Sequence, residues 1–564
     1  MKLTTRGKNL LALAGVALAM AVYLFLQARC FQCGTNEKDC EGYFILGKRL
    51  AAGEPAGRPA TAPFQQINHV WVENDRGELL PKYAPGYPLL VGAAYRFSGG
   101  SDAAAFAVNP VLGLVALAGA WVLFRLFLGL LPSVLGVWLL MLHPMFQSYS
   151  SYPLAHAMEL ACLVWGFAFL GRWARRPGFA AALGAGFAFG CAAGARHTAI
   201  LYALPVATVA TATAVREIRN RRAGGASRPA AVWGSLLALG AAYAVVPALV
   251  ALYHWRWFGS PFHSGYYLTG EQQALKWAYV WENIETVIVG LNHDCGLALF
   301  ALALAGMVLA GPRLFRIVCI EWLLVACVPY LFYYWAPRSI AFFRFYYPVV
   351  PMLIGSALMA LEEMLRGRRH RRALLCAYAA VVVLSWCPKV LEPFLGWTMS
   401  AAGRSQAAVG AAVRPHLRED AVLFLEYPLD TGIGAFQRYD TYRIQAFDRW
   451  ILREEMKPWK EPWERTERER WNRWPIMSQD SRRLKLESLF EELGPEGLVR
   501  RHVAFANERL AASNQVAYLL RTDDNPYGHA RLPQPCGFTL EPLARFDVPG
   551  HGSWTLYEAD ATTP

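Results

Sequence analysis

Long apolar runs fill the first two-thirds of the chain and vanish from the last third. A helix needs roughly 20 apolar residues to cross the hydrocarbon core of a bilayer. Runs approaching that length lie at Leu10–Leu26 and at about 104–128, 130–149, 155–171, 178–194, 197–215, 229–253, 290–310, 314–335, 340–363 and 373–397. These eleven runs, most of them bounded by charge or by Pro/Gly, predict about eleven transmembrane helices. The first follows Lys2, Arg6 and Lys8, as a signal peptide would, but its end, Leu26-Gln27-Ala28-Arg29-Cys30, is not a small-x-small cleavage site. It therefore reads as a retained span. Beyond about residue 398 the pattern changes to strand-like runs at Ala421–Glu426, Val516–Leu520 and Trp554–Tyr557. Between them the charged stretch Met456–Leu493 reads as helical, and its Trp459, Trp463, Trp471 and Trp474 suit a membrane surface or a soluble core equally. The predicted fold is a polytopic α-helical membrane protein with a C-terminal mixed α/β extracytoplasmic domain. The transmembrane domain would be residues 1–398, with outer loops at about 30–96 and 255–289, and the C-terminal domain residues 399–564.

Charge changes this picture in one respect. The whole chain carries a formal +13, which taken alone suggests nucleic acid. From residue 399 onward there are 22 Lys/Arg against 24 Asp/Glu, so the excess lies in the apolar part, at 33 basic against 18 acidic residues. Clusters at Arg219–Arg222 and Arg366–Arg372 then read as cytoplasmic topology signals, and no nucleic-acid partner is expected. With the N-terminus inside, an odd number of spans puts the C-terminal domain outside. Hydrophobic residues at 55% and charged residues at 17% exclude a disordered chain, and 11 Cys in 564 residues are too dilute for a disulfide-knotted scaffold. Cys33 and Cys40 lie in the first outer loop, where an oxidising compartment would favour a disulfide. The Cys30–Cys33 pair lacks a second pair and makes a weak metal site.

Candidate chemistry gathers in and beside the outer loops. Asp39 and Glu41 precede Tyr43 on a stretch, through Ala52, that suits a short amphipathic helix ended by Gly53. They are either a solvated acidic surface or carboxylates placed to hold or deprotonate a polar substrate. In Pro81-Lys82-Tyr83-Ala84-Pro85-Gly86-Tyr87-Pro88, three prolines and a glycine fix a turn that holds Lys82 at headgroup level. There it can pair with a phosphate or simply snorkel. His293 beside Asp294 reads as a polar cap on a span or as an acid/base pair. Arg344, in Phe342-Phe343-Arg344-Phe345-Tyr346-Tyr347-Pro348, enters the tenth span, and an arginine there usually faces a polar cavity or an anion. Gly186, Gly190 and Gly194 repeat at four-residue spacing, which suits close helix packing.

Taken in order, these segments, together with Tyr152-Pro153-Leu154-Ala155-His156-Ala157-Met158-Glu159, Ala195-Arg196-His197-Thr198 and Phe258-Gly259-Ser260-Pro261, resemble the polytopic C-type (GT-C) glycosyltransferases. The resemblance covers about residues 10–365 and is nearest to bacterial relatives of protein O-mannosyltransferases and lipid A aminoarabinose transferases. It implies an integral protein of the bacterial inner membrane. The protein would take a sugar from a polyprenyl-phosphate-linked donor and pass it to a lipid, glycan or protein acceptor on the outer face. On that reading Asp39 or Glu41 is the general base of a displacement that most simply inverts the anomeric carbon. Lys82 and Arg344 neutralise the leaving phosphate, with Arg338 and Arg196 as lesser candidates. Cys40 separates the two acids, which family members often carry side by side. A divalent metal is compatible with this reading, but no residue calls for one. A transporter or flippase of lipid-linked sugars would need the same cations without a base, but transporters often show two related halves and broken helices near the midplane, and the sequence shows neither. A non-catalytic envelope protein is the third reading.

Overall fold

In a computed structural model, the described residues are 4–31, 33, 38–59, 70–223, 229–269, 275–333, 344–391, 408–418, 421–425, 440–443, 492–493, 516–523, 538–549 and 552–561. Where they fall on described residues, the eleven apolar runs lie on helices or on successive pairs of helices. The first is α1 (Thr5–Cys30), whose Thr4 hydroxyl caps its start by accepting from the Gly7 amide. A short helix, α2 (Lys38–Ala51), follows. Its two acids lie in the first turn, and Lys48 and Arg49 in the last, the arrangement the helix dipole favours. A three-stranded sheet, β1 (Arg58–Pro59), β2 (Trp71–Glu73) and β3 (Glu78–Pro81), has the order β1-β3-β2 with antiparallel pairing. It leads into α3 (Gly86–Phe97) and the short α4 (Asp102–Phe106).

The bundle continues with α5 (Val108–Phe127), then α6 (Leu130–Leu142) and α7 (Pro144–Ser151), which are bent by 57° at His143. Next come α8 (His156–Arg175), α9 (Phe179–Ala195), a 3-10 turn (His197–Tyr202) running into α10 (Ala203–Arg222), and α11 (Pro229–Phe258). After the one-turn α12 (Gly265–Leu268), α13 (Val280–Cys295) and α14 (Leu297–Leu309) meet at 109°, and α15 (Arg313–Leu331) follows. A 3-10 turn, Arg344–Val349, opens the helix Val350–Met364, and Arg371–Leu391 closes the bundle. Among the described residues, seven helices are long and apolar enough to cross a membrane, or up to nine if each bent pair is one span. Their outward faces carry exposed Leu11, Phe25, Leu237, Leu249 and Leu252, a surface suited to lipid tails rather than water. The chain is an integral membrane protein.

Two details of packing position the site. Every residue from Val350 to Ala360 is buried, so this helix is the axis on which the bundle is assembled, and Arg344 is the first residue of the 3-10 turn that leads into it. The glycine seam of α9 lies along α11, as its spacing predicted. A Cβ at Gly186 would fall 2.3 Å from the Leu239 carbonyl oxygen, and one at Gly190 2.8 Å from that of Tyr243. The helices α10 and Val350–Met364 each run from a site end, at His197 and Arg344, toward a basic end, at Arg219–Arg222 and Arg366–Arg372.

The C-terminal part holds a five-stranded mixed sheet of order β5-β4-β6-β8-β7, built from β4 (Val422–Leu425), β5 (Asp440–Arg443), β6 (Ala517–Thr522), β7 (Phe538–Val548) and β8 (Gly552–Ala561). The three strand-like runs of the sequence are β4, β6 and β8. Most of Met456–Leu493, including its tryptophans, lies outside the described residues. Arg414 reaches Asp102, which also pairs with Lys48 of α2, so this part begins on the side of the bundle that carries α2.

The Cys33–Cys40 disulfide is not formed. Cys40 is wholly buried on the inner face of α2, within electrostatic reach of the Tyr43 and Tyr87 hydroxyls, whereas Cys33 lies before the helix near Asp102 and Arg414. Burial raises the Cys33 thiol above its ordinary range, and Asp102 adds to that. The helix start at Lys38 fixes the separation: once α2 forms, Cys40 turns into the core.

Candidate active site

The first turn of α2 brings Asp39 to Tyr83 and Arg344. The Tyr83 hydroxyl donates to Asp39 Oδ1 at 2.7 Å, and Arg344 Nη2 donates to Oδ2 at 2.8 Å. Asp39 and Arg344 are 305 residues apart in sequence. Their side chains keep 14% and 9% of their exposure, so the pair is shielded yet not sealed. Two residues along a helix rotate a side chain by about 200°, so Glu41 does not share a face with Asp39; it is 2% exposed.

Tyr83 is placed by its neighbours. Its ring stacks on Tyr43 at 4.3 Å between centroids, and Tyr87 meets Tyr43 edge-on at 5.2 Å. Burial pushes the Tyr83 phenol well above its ordinary value of 10, and the nearby Asp39 charge pushes it further. Tyr43 is likewise raised, by burial first, against an opposing pull from Arg196. Both phenols are therefore neutral near neutral pH, and Tyr83 is a hydrogen-bond donor there.

Lys82 closes the other side. It follows the β2–β3 hairpin, whose turn Asn74 holds by accepting from the Arg76 and Glu78 amides. The Lys82 amide extends that ladder by donating to the Val70 carbonyl at 2.9 Å. Its ammonium lies 5.1 Å from the Tyr266 ring centroid and 5.8 Å from that of Tyr83, within cation–π range. Tyr266 is brought there because α12 begins with a glycine: a Cβ at Gly265 would sit 2.2 Å from Lys82 Cα. Behind Tyr266, His197 and His254 face each other with Nε2 atoms 3.0 Å apart.

A second ion pair lies beside the first. Arg196 Nε is 3.2 Å from Glu159 Oε2, and its guanidinium carbon lies 5.0 Å from the Phe345 ring centroid, next to Arg344. Of the residues singled out in the sequence, Asp39, Arg344, Lys82 and Arg196 thus line one aromatic wall. Arg338 lies outside the described residues. So do the side chains of His293 and Asp294, which fall at the end of α13 rather than at the start of a span. The sequence reading gave no role to Tyr83, Glu159, His156 or Tyr330. Glu159 carried a usable signal, being a carboxylate inside an apolar run that needs a buried cation. Among the described residues, no group of three or more His, Cys, Asp or Glu side chains could hold a metal ion.

No family model matches the chain, and no curated protein matches it. Solved structures do. The chain is similar to ArnT from Cupriavidus metallidurans bound to undecaprenyl phosphate, with a TM-score of 0.55 at 14% identity, over 96% of this chain and 97% of that one. The apo state of the same protein gives a TM-score of 0.55 over 97% and 98%. The archaeal oligosaccharyltransferase AglB from Archaeoglobus fulgidus, in complex with an inhibitory peptide and a dolichol-phosphate, gives 0.50 at 13% identity, over 91% of this chain and 70% of that one. At such identities the likeness is one of fold. The fold implied by the order of motifs is the one observed: that of the polytopic GT-C membrane glycosyltransferases.

Proposed function

We propose that the protein transfers a sugar from a polyprenyl-phosphate donor to an envelope acceptor on the outer face of the membrane. The observation that carries this reading is the Asp39 carboxylate held between the Tyr83 hydroxyl and the Arg344 guanidinium. Its setting supports it, since the fold is shared with a protein bound to undecaprenyl phosphate and another bound to a dolichol-phosphate and a peptide. The basic ends of α10 and Val350–Met364 lie opposite the site, and by the positive-inside rule this supports an outward-facing site.

In this mechanism Asp39 is the general base. The acceptor hydroxyl takes its place on the carboxylate oxygen that Arg344 now holds, once that guanidinium turns to the donor phosphate. As the acceptor oxygen bonds to the anomeric carbon, its proton passes to Asp39. The bond from that carbon to the phosphate oxygen breaks, and polyprenyl phosphate leaves with the electron pair and the anomeric centre inverted. Arg344 and Lys82 bear the charge that develops on the leaving oxygen. Because Arg344 holds Asp39 in the structure, the donor phosphate competes with Asp39 for that guanidinium. Donor binding loosens the pair and makes the carboxylate more basic when an acceptor can use it. Glu41, turned away on α2, supports the fold of the loop.

The test uses purified protein in lipid nanodiscs, with a radiolabelled extract of lipid-linked sugars from the cells that make it and delipidated envelope material as acceptor. Acceptor-dependent release of polyprenyl phosphate is expected. In vesicles, movement of the labelled lipid between leaflets without release would make the protein a flippase and overturn the transfer reading.

A further inference from the structure

Arg196 stands at the point where α9 ends and the His197–Tyr202 turn begins. Three elements converge on it. Glu159 and His156, from the first turn of α8, meet its Nε at 3.2 Å and its Nη1 at 2.8 Å. Tyr330, from the end of α15, accepts from Nη2 at 2.8 Å, and its hydroxyl is also 3.1 Å from Thr198 Oγ1. All three nitrogens of the guanidinium thus engage protein groups, and the Arg196 and Glu159 side chains keep only 14% and 5% of their exposure. The geometry also reaches Phe345. Its ring stacks on Tyr330 at 4.6 Å with an 18° tilt, and lies 5.0 Å from the Arg196 guanidinium carbon and 5.4 Å from that of Arg344.

We propose that Arg196 is a positioning residue and not a phosphate ligand: with Glu159 and Tyr330 it clamps Phe345, and through Phe345 it sets where Arg344 can reach. This rests on the transfer reading above. The contrast with Arg344 is in the counter-ion. Asp39 sits on a short helix beside the bundle, where it can yield its partner to a phosphate. Glu159 is built into a buried first turn of α8, with its Oε2 3.2 Å from Arg196 Nε. A guanidinium engaged at all three nitrogens offers little to an incoming anion, but it holds the ring that flanks the Asp39–Arg344 pair. Tyr330 transmits the position of α15 to the same ring.

Turnover and affinity for undecaprenyl phosphate separate the two roles, measured on the full-length protein in nanodiscs for Glu159→Gln, Tyr330→Phe, Phe345→Ala, Arg196→Lys and Arg196→Lys/Phe345→Ala. A clamp predicts that Glu159→Gln and Tyr330→Phe each lower turnover about 3- to 30-fold and weaken the lipid phosphate, because Arg344 is misplaced. It also predicts that the double variant is no worse than its more severe single, since contacting residues do not add. A phosphate ligand predicts the reverse: Glu159→Gln frees a cation and binds undecaprenyl phosphate more tightly, and the Arg196 and Phe345 losses multiply. That pattern, or a Tyr330→Phe variant with wild-type turnover and affinity, would overturn the clamp. Should Arg196→Lys fail to fold, Tyr330→Phe and Glu159→Gln decide the matter without it. Wild-type protein that binds the lipid phosphate but transfers nothing would sink the transfer reading instead, and the affinities would still test the clamp.

Discussion

Asp39–Arg344 and Glu159–Arg196 are both carboxylate–guanidinium pairs, and Phe345 lies against both guanidinium groups, yet they are built differently. Glu159–Arg196 joins α8 to the end of α9, with His156 and Tyr330 closing round it. Asp39–Arg344 joins a helix outside the apolar runs to the mouth of the most buried helix, and its carboxylate retains more exposure, 14% against 5%. A buried pair that cannot relax serves rigidity, because removing one partner strands a charge at a cost of about 3–5 kcal/mol. In the proposed mechanism the Asp39–Arg344 pair is the one that exchanges with the donor phosphate. The lesson is that burial of an arginine does not by itself mark a ligand site; what decides is whether its counter-ion can let go.

Variants that break the exchangeable pair should have the largest effects. In the proposed mechanism Asp39→Asn removes the base and should lower turnover by about 10²–10⁴-fold, while Glu41→Gln stays within about tenfold of wild type, the margin below any base effect. Equal losses from both, in a transfer assay, would mean that the two acids share the work. Arg344→Ala should weaken both donor binding and turnover, and Arg344→Lys should rescue only part, since lysine keeps the charge and loses the planar fork. Tyr83→Phe deletes one hydrogen bond to a charged group, worth about 1.5–3 kcal/mol, and should slow transfer by roughly 10- to 100-fold. Because the Tyr83 phenol is raised, it stays protonated and donating at every pH below about 10, its ordinary value. The wild-type pH–rate profile should therefore show no alkaline limb that Tyr83→Phe abolishes. Smallest of all, Gly265→Ala forces α12 off Lys82. Overpacking of this kind costs about 1–3 kcal/mol, so it should lower the melting temperature and raise the donor KM, with kcat little changed.

Much of the frame could be read from the chain. The apolar runs became helices because a bilayer demands long, uninterrupted stretches, and α2 ended near Gly53 where its amphipathic pattern stopped. The glycine seam of α9 gave its packing away through spacing alone. The site was legible as residue types but not as partnerships. Nothing in the sequence near Asp39 says that Tyr83, 44 residues on, would hold one oxygen and Arg344 the other. That Asp39 and Glu41 point to different sides depends on the phase of α2, which their neighbours in sequence do not state. The disulfide expectation failed for the same reason, since Cys40 is carried inward by that phase. The sequence offers Arg196 only as a lesser candidate for the donor phosphate, because its anion, Glu159, comes from a different helix.

The central claim is that Arg344 passes between Asp39 and the donor phosphate. Its most direct test is the affinity of Asp39→Asn for the intact lipid-linked donor, measured by equilibrium binding in nanodiscs alongside turnover. With the competing carboxylate charge gone, the variant should bind donor at least as tightly as wild type while transferring almost nothing. Donor binding weakened by about tenfold or more, roughly 1.4 kcal/mol, would contradict the account, because Asp39 would then be holding the donor rather than competing with it.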